Sequence, residues 1–177
     1  MDHSRYSKLA GEANAAQAEV RAALRLVADR KDEADAKTRR WLGAIEAFRA
    51  AQALVYPEAL RQVEQGERHV SELDTLDILE FLEADPIFHR SGYMKAKLLT
   101  ELKRRKLGRH EAKRLKAIIV NAVGKPERRE FRHYCRAAAA VDDAGFRQEL
   151  RDLQRADDAG TRRRATWVLT ALGETGR

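Results

Sequence analysis

Arg128, Arg132 and Arg136 stand at i, i+4 and i+8, and Arg109, Lys113 and Lys116 at i, i+4 and i+7. Either spacing puts a trio of cations on one flank of a helix. Such stripes suit one kind of chemistry, the holding of a polyanion by charge and charge-assisted hydrogen bonds. If the two helices pair, the stripes lie side by side and line a groove that tracks phosphates. Lys97, Lys103 and Arg104 add outward charge on the preceding helix. All nine residues belong to segment 95–136, which carries fifteen Lys or Arg against four acids, a net +11, whereas residues 1–94 net −4 and residues 137–177 net zero. Solvated helix faces are charged as a matter of course, but one without balancing acids over 42 residues repels itself, so the asymmetry points to an acidic partner. The first expectation is nucleic-acid backbone, bound without strong sequence preference. The alternative is a structural or adaptor subunit docking an acidic protein. Tyr93, Phe131 and Tyr134 are the aromatics nearby, and the last two fall on the expected core face, so base stacking is not expected to be a main mode.

Reaction chemistry finds less to work with. His110-Glu111 begins like a zinc-protease helix, but the position needing the second histidine is Arg114. Cys135 and His133 lie two apart on a helix and point in different directions, which makes no nucleophile and base pair; Cys135 reads as a small core residue. Arg90-Ser91-Gly92-Tyr93-Met94-Lys95 opens a helix and offers N–H groups to an anion, although Ser91 as a cap and Gly92 as a packing allowance is the preferred account. No Gly-rich phosphate loop, paired-cysteine spacing or serine nucleophile elbow is present. The expectation is a non-enzymatic chain with no cofactor and no metal.

The elements that must position these residues are all helical. Ala13, Ala16, Val20, Ala23, Leu24 and Val27 mark an amphipathic helix over about 10–31, and Trp41, Ile45, Phe48 and Val55 a second over 36–55, with Asp32 or Asp35 as its N-cap. A helical hairpin or a single bent helix fits, the hairpin being preferred. Tyr56-Pro57 stops the second helix, a short helix runs from Pro57 to Gln65, and Gly66 ends it. Ser71-Glu72-Leu73-Asp74 resembles a capping box for a helix with Leu76, Leu79 and Leu82 on one side, closed by Ala84-Asp85-Pro86. Helices over 91–106, from Gly108 to Gly124, and over 127–141 follow, with core positions Met94, Leu98, Leu99, Leu102, then Leu115, Ile118, Ile119, Ala122, Val123, then Phe131, Tyr134, Cys135, Ala138, Ala139. Asp142-Asp143 gives the cap of the next helix, with core Phe146, Leu150 and Leu153, and Asp157-Asp158-Ala159-Gly160 is the turn to the last, with core Ala165, Val168, Leu169 and Leu172. Trp167 lies opposite that last face, exposed or meeting another chain.

Three prolines, ten glycines and 6% aromatic residues agree with long helices. One cysteine implies no oxidising compartment. The N-terminus lacks a signal-peptide core, and no apolar run is long enough to span a membrane. A soluble cytoplasmic protein is expected, and the excess of Arg over Lys, twenty-five to ten, suggests a GC-rich bacterial source. The division expected is an Ala-rich hairpin with its short helix over 1–66, its residues 10–55 available for self-association, and a second domain over 67–177.

Two turns share an order of helix, Asp-bearing turn and Arg near the next helix start: Leu82-Glu83-Ala84-Asp85-Pro86 before Arg90, and Leu153-Gln154-Arg155-Ala156-Asp157-Asp158 before Arg162 and Arg163. The run from Asp157 to Gly173 resembles a HEAT-type repeat. That resemblance, over about residues 70–173 and clearest in the last unit, implies an all-α, HEAT- or armadillo-like solenoid of about three helical pairs presenting a surface to a partner; a plain helical bundle is the alternative. It also brings in a third functional class, the HEAT-like DNA glycosylases. That family uses exposed tryptophans and a groove carboxylate, whereas Trp41 and Trp167 lie outside the basic segment.

Overall fold

The computed structural model describes residues 3–27 and 35–174, which form nine α-helices and two short 3-10 turns with no strand among the described residues. The fold is all-α. No described helix is long and apolar enough to cross a membrane. Contacts divide the chain into two compact units, Met1–His69 with Ala84–Ser91, and Val70–Glu83 with Gly92–Arg177.

In the first unit α1 (His3–Leu24) and α2 (Ala36–Val55) pack along one another. The helix α1 begins seven residues before the expected start because Tyr6, Ala10 and Ala13, at i, i+4 and i+7, are all buried. It ends at Leu24, where Leu26 and Val27 donate three residues back and tighten the last turn. The remainder of the expected 10–31 helix, and Asp32, lie outside the described residues. Asp35 is the cap of α2, accepting from the backbone N–H of Lys37 and Thr38 at 3.0 Å each. An alanine seam buries little area, so helix pairing here depends on close approach of the two backbones. Helix α3 (Glu58–Gln65) follows Pro57 and stops at Gly66, whose φ of 80° is the left-handed conformation that favours glycine. The strap 84–91 is tied to the helices by Asn14, which donates to the Ile87 carbonyl at 2.8 Å, and by Tyr56 meeting Phe88 edge-on at 5.2 Å.

The second unit starts with a 3-10 turn at Val70–Glu72 and α4 (Thr75–Ala84). Here the expected Ser71 capping box is corrected: the cap is Asp74, which accepts from Leu76 N at 2.7 Å. Arg105 accounts for the change. Its guanidinium donates to the carbonyls of Leu73 (2.8 Å) and Ser71 (3.1 Å) and to the Thr75 hydroxyl (2.9 Å), pinning the turn short of the helix. The buried face of α4 is Ile78, Leu79, Phe81 and Leu82, and Leu76 is 45% exposed rather than inside.

Helix α5 (Ser91–Leu102) buries the four expected residues and ends four residues early. Helix α6 (Arg109–Gly124) matches its expected span and buries Leu115, Ile118, Ile119 and Val123. The next helix, expected over 127–141, is α7 (Phe131–Ala137) continued by a 3-10 turn at Ala138–Val141. Pro126 forces Lys125 into extended backbone (ψ 162°), and the chain needs residues 127–130 to turn back. In the 3-10 turn the repeat drops to three residues, which leaves Ala139 exposed. Helices α8 (Ala144–Leu153) and α9 (Ala159–Ala171) pack on each other and on α6, each capped by an aspartate: of the expected Asp142-Asp143 pair it is Asp143, which accepts from Phe146 N at 2.8 Å, and from the turn before α9 it is Asp158, which accepts from Thr161 N at 2.5 Å. The two turns of the internal repeat differ in geometry. Asp158 caps a helix directly, whereas Asp85 has φ 46° and lies six residues before α5.

Acid should loosen the α8–α9 end first. Asp142, Asp143, Asp158 and Glu174 are held below the usual carboxylate range by hydrogen bonds from Arg147, Lys116, the Thr161 hydroxyl and Arg151 respectively. A depressed folded-state pKa contributes stability that is complete above the unfolded value and is lost as pH falls through the folded one. Helicity followed by circular dichroism is therefore expected to fall below about pH 4. In Glu174→Gln the drop in melting temperature between neutral and acid pH should be smaller, and an unchanged drop would count against Glu174 as a contributor.

Candidate functional site

The basic segment separates into cations used within the fold and cations left to solvent. Arg105 is the clamp on the 70–75 turn and also meets Glu101 at 3.0 Å. Arg114 makes a two-pronged pair with Glu83, both contacts 2.7 Å, and that hydrogen bond holds its guanidinium above its ordinary pKa. Lys95 is wholly buried. Lys116, expected on the binding stripe, is engaged by Asp143 at the start of α8. Lys97, Lys103, Arg104, Arg109 and Lys113 are exposed on α5, α6 and the turn joining them.

Arg128, Arg132 and Arg136 come together. With Arg129 they line one side of a cleft of about 660 Å³ in the second unit, whose other side is α9 with Trp167 and Ala171. The cleft contains the second basic stripe and none of Arg109, Lys113 or Lys116. Arg132 and Arg136 are exposed and make no ion pair among the described residues.

The positioning follows from the packing of α7 on α9. Phe131 and Tyr134 are buried beneath α7, their rings 6.4 Å apart, which turns Arg132 and Arg136 outward; Arg128, expected on the same helix flank, instead lies half-buried before α7, because the chain turns back there after Pro126. On α9, Thr161, Arg164, Ala165, Val168 and Leu169 face inward, so Arg163, Trp167 and Ala171, at i, i+4 and i+8, form a flank of their own. Trp167 leans on Phe131 (ring centres 6.1 Å apart) and remains 38% exposed. Arg163 lies 5.3 Å above the Trp167 ring and reaches the Glu127 carboxylate at 3.4 Å, which neutralises the one acid on the cleft wall. Arg129 is steadied from below: it donates to the Tyr93 hydroxyl and stacks 4.4 Å over that ring.

Sequence reasoning placed Trp167 outside the basic region. Its spacing from Arg163 and Ala171 was visible, but not which helix that flank would meet.

The helix start at Ser91 is already occupied. The Glu130 carboxylate, 94% buried, lies against Gly92, and a Cβ there would come within 2.6 Å of its oxygen. Glycine is what allows this approach, so Gly92 is a packing allowance for an internal carboxylate.

Little points to bond-making. Burial pushes the Cys135 thiol up to about 11, and His133 is held below its ordinary value, first by burial and then by Arg136. The His133 ring meets the Thr100 hydroxyl at 3.3 Å, not Cys135. No group of three or more His, Cys, Asp or Glu among the described residues is placed to hold a metal. Cys135 is expected to resist a disulfide reagent at about pH 8 in the folded protein and to react once denaturant exposes it; fast reaction of the native protein would contradict its burial. No protein-family model, curated protein or solved structure matches the chain.

Proposed function

We propose that the chain is a non-enzymatic binding module, built as a helical-repeat scaffold, whose arginine cleft and adjoining basic surface contact nucleic-acid backbone without strong sequence preference. The observation that carries this reading is the convergence of Arg128, Arg129, Arg132 and Arg136 on one cleft whose acid, Glu127, is internally neutralised. Arginine forks suit phosphate oxygens, and a cleft wall with four arginines against one carboxylate, itself paired with Arg163, concentrates positive potential where an anion would sit.

Fluorescence anisotropy of labelled oligonucleotides across a salt series tests it. Four phosphate contacts on a single strand give a slope of log K against log salt near about −2.8, an affinity loss of about fifty-fold between 50 and 200 mM. No binding at low salt would refute the reading. Preference for an acidic polypeptide over any oligonucleotide would replace it with the adaptor alternative. A base-release assay on alkylated duplex addresses the glycosylase alternative and is expected to be blank, since Glu127 is tied to Arg163.

A further inference from the structure

The cleft holds more than charge. Trp167, 38% exposed, forms part of the same wall that carries Ala171, and the four arginines stand across from it. The ring is largely buried against its neighbours, Phe131 among them, and Trp167 lines the cleft with what remains open. Here α9 supplies an aromatic plane, and α7 with the turn before it a group of guanidinium forks. That is the pair of features by which a nucleotide is held when its base is unstacked, phosphate on the cations and base on the ring.

We infer that the cleft binds single-stranded nucleic acid, with a base stacked on Trp167 and the flanking phosphates on Arg128, Arg132 and Arg136. This rests on the backbone-binding function proposed above and narrows its ligand. A duplex fits the geometry less well, because a base inside it has both faces covered by its neighbours and offers none to Trp167. About 660 Å³ accommodates one or two splayed nucleotides, within the ordinary range for ligand-sized clefts. An acidic peptide would satisfy the arginines and make no stacking use of the indole. Arg163 lies over the Trp167 ring, 5.3 Å from its centre, so a base that stacks there takes the place of that guanidinium, which keeps its second contact with the exposed Glu127 carboxylate. Base-on-aromatic stacking tolerates any sequence, so the inference agrees with weak sequence preference.

The test uses the full chain in a Trp41→Phe background, leaving Trp167 as the sole tryptophan. That change is mild, because the buried Trp41 Nε1 has no hydrogen-bond partner to lose. Oligothymidylate is expected to quench Trp167 fluorescence, and an abasic oligomer of equal length and charge is not. Trp167→Leu, which keeps apolar bulk against Phe131, should weaken oligothymidylate binding about tenfold or more and leave abasic binding and the salt slope unchanged; Trp167→Phe should recover most of the loss. Melting curves confirm that each variant is folded, and a variant that unfolds is replaced in the comparison by Trp167→Phe and Trp167→Met.

Equal binding of oligothymidylate and abasic oligomer by every variant overturns base stacking while leaving backbone binding intact. Absence of binding to both oligomers at low salt overturns the underlying function. Tighter binding to polyglutamate than to either oligomer overturns both.

Discussion

Replacing Arg164 with leucine lowers the unfolding free energy of the second unit by about 3 kcal/mol, a loss of the size seen when a buried charge-bearing group loses its polar network. Arg164 is among the most deeply placed cations of the chain, 5% exposed, and its Nε donates to the Val123 carbonyl at 2.8 Å. Val123 is the penultimate residue of α6, so that carbonyl has no acceptor role left within its own helix. The same guanidinium reaches the Thr161 hydroxyl at 3.3 Å and the Asp158 cap carboxylate at 3.5 Å. One side chain thereby closes the end of α6 and braces the start of α9. Gly160 makes room for it, since a Cβ there would lie 2.8 Å from Arg164 Nη1. Leucine restores some apolar contact but leaves the Val123 carbonyl buried and unpaired; lysine reaches with one donor and should fall between the two. Urea unfolding followed by circular dichroism checks the figure, and a loss below about 0.5 kcal/mol, the range of ordinary surface substitutions, would show that the Val123 bond contributes little.

Reversing Arg128, Arg132 and Arg136 to glutamate abolishes oligonucleotide binding at 150 mM salt or weakens it at least about a hundredfold, with the salt slope dropping toward the single contact left to Arg129. Arg132 and Arg136 are exposed on one short helix whose buried face, Phe131, Tyr134 and Cys135, is untouched, while Arg128 is half-buried before it; melting curves confirm that the triple variant is folded, and the Arg132, Arg136 double reversal replaces it if it is not. The matching reversal of Arg109, Lys113 and Lys116 separates cleft from general surface charge. Lys116 has a partner in Asp143, so this second variant loses an internal ion pair as well as charge. It is expected to weaken binding far less. Equal losses in both variants would show that net charge, not the cleft, governs affinity.

Much of the fold was legible because helices are local objects. The core stripe of α6, the caps of α2 and α8, narrowed to two aspartates each, and the stops at Pro57 and Gly66 each depend on residues within a turn or two of one another. The misplacements fall where a distant group intervenes. Arg105 moved the cap of α4 from Ser71 to Asp74 from some thirty residues away, and the return after Pro126 consumed the first turn of the helix expected there.

The same division holds for the site. The sequence by itself determined the all-helical class, the concentration of cations in 95–136 and the common flank of Arg132 and Arg136, since helical periodicity and charge are properties of neighbouring residues, whereas Arg128 lies before α7 and reaches the same cleft through the turn. Tertiary structure alone decided which cations became internal clamps, as with Arg105, Arg114 and Lys116, and which stayed available. It also set Trp167 across from the arginines, because that juxtaposition depends on how α7 meets α9, a contact between side chains more than thirty positions apart that no local spacing encodes.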